Sequence, residues 1–92
     1  MPNALSDQER KVVEFASEGY TDLRIGKELD IRSSSVQTYW KRIKTKLAAS
    51  NKAQCVAIYL RFRYQERIDE LTAELVKARA HNLVTHAIDE GA

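Results

Sequence analysis

From ninety-two residues, 43% hydrophobic and 30% charged, the expectation is one small soluble domain with a single core and no separate sensor domain. Fifteen Lys and Arg against thirteen Asp and Glu give a net charge of only +2, which by itself does not point to a nucleic-acid partner. That total conceals an imbalance, because residues 1–22 carry a net −3, residues 23–52 a net +6 and residues 53–92 a net −1.

No apolar run approaches the roughly 18–20 residues of a membrane span, and the N-terminus lacks the basic start and apolar stretch of a signal peptide. A cytoplasmic protein with no membrane partner is expected. The single cysteine, Cys55, excludes an internal disulfide, and His81 and His86 do not share a helix face, so no metal or other cofactor is expected and both histidines read as surface or tail residues. No Cys/His, Ser/His/Asp or paired-carboxylate arrangement suggests an enzyme.

Few glycines and a single proline predict an all-α chain. Ser6-Asp7-Gln8-Glu9 forms a capping box that opens a first helix with Val12, Val13, Phe15 and Ala16 on its buried face, and Gly19 marks its end. Thr21 caps a short second helix from Asp22 to about Leu29, with apolar positions at Leu23, Ile25 and Leu29. Gly26 inside this helix costs about 1 kcal/mol relative to alanine, which suggests a close approach of the next helix. Asp30-Ile31-Arg32 makes a tight connection, and Ser33 is the N-cap candidate for a third helix from about Ser34 to Leu47.

In that helix Val36, Trp40, Ile43 and Leu47 recur at helical spacing and are expected to pack inward, with Tyr39 at the edge, either packed or bonded to a phosphate. The opposite face carries Ser34, Thr38, Lys41, Arg42 and Thr45, flanked by Lys44 and Lys46. Side chains of these kinds donate to base edges and phosphates. Ala48-Ala49-Ser50-Asn51 ends the helix and caps a fourth, which starts near Lys52 with no breaker until Gly91. Cys55 on that helix reads as a buried, inert thiol. A helix from Lys52 to about Ala80 is on the order of 40 Å long, more than a three-helix body covers. Leu60, Tyr64, Ile68, Leu71, Leu75 and Ala78 form a stripe near the spacing of a two-stranded seam, with Asn82 next in step. Glu66, Asp69, Glu70 and Glu74 read as a solvated face.

The pattern Leu5-Ser6, Glu9-Arg10, Val12, Gly19, Thr21, Ile25-Gly26, Leu29, Ile31, Ser35-Val36, Ile43, Lys46-Leu47, Ser50-Asn51-Lys52 and Val56 resembles the DNA-binding domain of the LuxR family, also called the GerE type. The match runs without a gap over about residues 5–60. It implies a four-helix, all-α helix-turn-helix domain over residues 1–60, with Asp22–Leu29 as scaffold helix and Ser34–Leu47 as recognition helix. The last helix would continue as an arm over residues 61–92. The resemblance implies a transcription regulator whose Gln37, Thr38 and Lys41 meet base edges, and the helical geometry adds Arg42, Ser34 and Thr45. Lys44, Lys46 and Lys52 are expected at the DNA backbone.

Departures from the family pattern bear on specificity. Gln37 stands where lysine is common, Tyr39 where histidine is common, and Trp40 where a smaller apolar residue is usual, so the target sequence does not carry over. Gly26 replaces a small alanine, Ala48-Ala49 the frequent Gly-Val, and Arg32 a capping serine. In this family the domain usually follows a receiver or ligand-binding domain. Here Met1 precedes the motif by a few residues, which leads to the expectation of a free-standing small regulator rather than an excised piece.

The expected partners are double-stranded DNA and a second copy of the chain, with RNA polymerase or a regulatory protein as further classes. Pairing would use Ala53, Val56, Ala57 and Leu60 near the DNA and Tyr64, Ile68, Leu71 and Leu75 further out, on half-sites about 10 bp apart. The tail could instead fold back on its own domain. Two other readings are a sigma-factor region-4-like module, against which Ser50-Asn51-Lys52 argues, and an adaptor or antitoxin-like chain that captures another protein through the last helix.

Overall fold

The computed structural model describes residues 4–91, with side-chain surroundings through residue 81. Four helices appear in order: α1 (Asp7–Ser17), α2 (Asp22–Leu29), α3 (Ser33–Leu47) and α4 (Lys52–Gly91), with no strand among the described residues. The chain divides into two compact units, Met1–Phe62 and Arg63–Ala92.

Each end of α1 is specified locally. The Ser6 backbone N–H donates to Glu9 Oε1 at 2.8 Å and Glu9 N–H donates to Ser6 Oγ at 3.2 Å, which completes the expected capping box. At the other end Gly19 takes φ +91°, and Tyr20 N–H reaches back to the Phe15 carbonyl at 3.1 Å. This is a Schellman closure, and the hydrophobic contact that accompanies such closures is the stack of Tyr20 on Phe15, with ring centroids 5.0 Å apart.

The Thr21 hydroxyl accepts from Arg24 N–H at the start of α2, as expected. Asp30 then adopts φ 56° and Ile31 N–H bonds to the Gly26 carbonyl at 2.8 Å, which turns the chain sharply into α3. A Cβ on Gly26 would lie 2.6 Å from the Ile31 carbonyl oxygen and 3.4 Å from Ser33 N, so the neighbour that requires glycine is the turn backbone at the start of α3. Leu23 departs from the sequence expectation: it is 62% exposed, because it stands two residues from buried Ile25 and so points to another face of the helix.

The N-cap of α3 is Arg32 rather than Ser33. Arg32 is extended and its carbonyl accepts from Ser35 and Val36, so Ser33 is already the first helical residue and no side chain caps this end. The helix closes at Ala48, which takes φ 52° while Ala49 N–H bonds to the Lys44 carbonyl at 2.9 Å. Asn51 Oδ1 accepts from Gln54 N–H at 2.8 Å and Gln54 Oε1 accepts from Ser50 N–H at 2.7 Å, a reciprocal pair that starts α4.

The core of the first unit comprises Leu5, Val12, Val13, Ile25, Val36, Trp40, Ile43, Leu47, Cys55 and Tyr59, with Phe15 and Ala16 packed half-buried against it. All four inward positions expected of α3 are in this core. The Tyr59 hydroxyl donates to Glu14 Oε1 at 2.7 Å, tying α4 to α1. Burial pushes the Cys55 thiol up, consistent with an inert structural residue. In the second unit Tyr64, Ile68, Leu71 and Leu75 are all exposed, as are Glu66, Asp69, Glu70, Glu74 and His81. His86 and the side chain of Asn82 lie outside the described residues. No described helix is long and apolar enough to cross a membrane.

Candidate nucleic-acid interface

Packing of Val36, Trp40, Ile43 and Leu47 fixes the rotation of α3 about its axis, and the opposite side is thereby delivered to solvent. Ser34, Gln37, Thr38, Lys41, Arg42 and Thr45 are all exposed on this helix, while Lys44 is half-buried at its flank. Lys44 and Lys46 also lie in the last turn of α3, where positive charge complements the helix dipole. Ser35, Thr38, Tyr39 and Arg42 line a shallow concavity. Tyr39 is half-buried, and the Arg42 guanidinium lies over its ring at 5.8 Å from the centroid.

Two hydroxyls on this face donate within the helix. Thr38 Oγ1 donates to the Ser34 carbonyl at 3.2 Å and Thr45 Oγ1 to the Lys41 carbonyl at 3.1 Å. Each hydroxyl hydrogen is thus directed inward, which leaves the oxygen lone pairs and the methyl as the outward chemistry.

Lys46 and Lys52, expected at the DNA backbone, each have a carboxylate partner in the chain. Lys46 Nζ lies 2.7 Å from Glu9 Oε1, the same oxygen that accepts from Ser6 N–H. Glu9 is only 2% exposed. Burial pushes its carboxyl up, but the Lys46 ammonium and the Ser6 N–H and hydroxyl outweigh that and leave it below the usual carboxylate range. Lys52 Nζ lies 2.6 Å from Asp22 Oδ2 and 5.6 Å from the centroid of the Trp40 ring. The other Asp22 oxygen accepts from Trp40 Nε1 at 2.9 Å.

Asp22 therefore joins α2, α3 and α4 through one carboxylate. In the sequence Asp22 reads only as the start of α2. Its partners lie 18 and 30 residues away, so nothing local reveals them. The hint was Trp40 itself, since a buried indole N–H needs an acceptor.

An all-helical unit in which a short scaffold helix turns sharply into a helix with a solvated basic face is a helix-turn-helix DNA-binding domain. The family described as bacterial regulatory proteins, luxR family, matches residues 3–59, and the chain belongs to that family. It is thus a DNA-binding protein of the transcription-regulator class. Compared with curated proteins and with solved structures, the chain matches none.

Proposed function

We propose that this protein is a sequence-specific regulator that binds duplex DNA as a homodimer, with the outer face of α3 in the major groove. The observation that carries the reading is the division of α3 into a buried apolar side and an exposed side bearing Lys41 and Arg42 among hydroxyl and amide groups. Gln37 and Thr38 discriminate base edges. Glutamine can pair bidentately with adenine, and Thr38, its hydrogen directed to Ser34, offers an acceptor to an exocyclic amino group and a methyl to thymine. Lys41 and Arg42 anchor bases or adjacent phosphates, Ser34 and Thr45 border them, and Lys44 meets the backbone.

We assign Lys46 and Lys52 mainly to positioning, because both ammonium groups are already held by carboxylates. Pairing of two chains uses Ala53, Val56, Ala57 and Leu60 and, beyond them, Tyr64, Ile68, Leu71 and Leu75. The exposure of the last four supports an occupant for that face. Selection of bound sequences from a random duplex pool tests the whole reading. A two-fold-symmetric motif with half-sites about 10 bp apart is expected, and no enrichment would overturn it.

A further inference from the structure

We infer that the Arg63–Ala92 unit pairs with its own copy as a parallel, in-register two-stranded coiled coil whose direction is set by reciprocal Glu74 to Arg79 ion pairs across the seam. The inference rests on the homodimer reading above and adds the direction of the partner.

The seam follows from spacing and exposure. Tyr64, Ile68, Leu71 and Leu75 are separated by four, three and four residues along α4, and their exposures lie between 46% and 62%. With Ile68 and Leu75 at a, the d positions are Tyr64, Leu71 and Ala78. One layer pair, Ile68 at a with Leu71 at d, has the composition that favours two strands. Arg61 occupies the preceding a position and ends the apolar seam on that side. A lone amphipathic helix gains little from propensity alone in water, so an exposed stripe of this kind calls for a partner helix.

Direction is decided at the flanks. In this register Arg67 and Glu74 stand at g, and Thr72 and Arg79 at e. Parallel strands bring g of one chain to the following e of the other. Glu74 then faces the partner's Arg79 twice by symmetry, and Arg67 meets the neutral Thr72 of the partner subunit. Neither Glu74 nor Arg79 has an ion-pair partner among the described residues, so both are available.

The antiparallel alternative that keeps the apolar layers together pairs Tyr64 with Leu75 and Ile68 with Leu71, and sets Arg67 against Glu74. Arg67 is already bonded to Glu70 at 3.1 Å, a contact that alternative would have to compete with.

Sedimentation equilibrium of the full chain and of Glu74→Arg, Arg79→Glu and the double charge swap tests the direction. Each single variant turns two attractive contacts into repulsive ones and is expected to weaken dimerisation about tenfold, with the double swap returning to near wild type. A second measurement is oxidative cross-linking in a Cys55→Ala background. Leu75→Cys should cross-link to its own copy in the parallel form. A dimer insensitive to Arg79→Glu, weakened by Arg67→Glu and cross-linked only when Leu75→Cys is mixed with Tyr64→Cys would overturn the parallel direction while leaving the homodimer intact. A wild-type chain that stays monomeric with and without DNA would overturn the homodimer reading itself.

Discussion

Glu9 completes the capping box of α1 and is also the buried counterion of Lys46. Lys46→Ala leaves that carboxylate without its ammonium and should cost about 2–3 kcal/mol, less than a fully buried pair because Lys46 is partly solvated. Glu9→Gln keeps an acceptor for Ser6 N–H and should cost less, about 1–2 kcal/mol. Urea unfolding of the three proteins at pH 7 checks the order.

The pH dependence follows from the lowered Glu9 carboxyl. A folded-state value below the unfolded one contributes stability that is present above the unfolded value and is lost as pH falls through the folded one. The gap between wild type and Glu9→Gln should therefore narrow on acidification below the ordinary carboxylate range. A gap that stayed constant with pH would show that the pair contributes nothing through charge. None of this was visible beforehand, because the two partners stand 37 residues apart and a lysine beside a basic helix face reads first as a phosphate contact.

Within the helices, periodicity carried most of the information. Val36, Trp40, Ile43 and Leu47 recur at the helical interval and all four are buried, whereas Leu23 fits no such series and is exposed. The turns obey backbone sterics instead. Gly26→Ala would place a methyl against the Ile31 carbonyl, and since that oxygen belongs to the backbone the turn into α3 must shift. A loss of about 2–3 kcal/mol is expected, together with weakened DNA binding even at temperatures where the variant stays folded. Thermal unfolding and a binding titration on one sample separate the two effects. Ala48 is the converse case: an alanine in the left-handed region carries a strain that glycine lacks, so Ala48→Gly should stabilise the domain by about 0.5–1 kcal/mol. The sequence signalled that site only by the absence of the glycine that usually ends this helix.

At the level of the molecule, the buried core reaches Tyr59, with Val56 and Leu60 packed half-buried against it, whereas the exposed apolar stripe of α4 runs from Tyr64 to Leu75. The stripe was readable as a seam, but its occupant and direction were not, because one chain cannot display a contact made between two. If two copies pair through the arm, its helicity should rise with protein concentration, and dilution should lower the circular-dichroism signal while leaving Trp40 fluorescence, which reports the first unit, unchanged. A concentration-independent signal would count against pairing.

The ion pairs of Lys46 and Lys52 also shape the electric field of the first unit. Glu9 and Asp22 offset two of its positive charges near where α1 and α2 begin, whereas Lys41 and Arg42 on the outer face of α3 have no such carboxylate partner among the described residues. Two of the eight basic side chains in residues 23–52 are thus matched by carboxylates, and Lys41 and Arg42 are not among them. On the proposed reading, in which α3 faces the DNA, such a distribution would turn an approaching polyanion as well as attract it, so that fewer encounters are wasted in the wrong orientation.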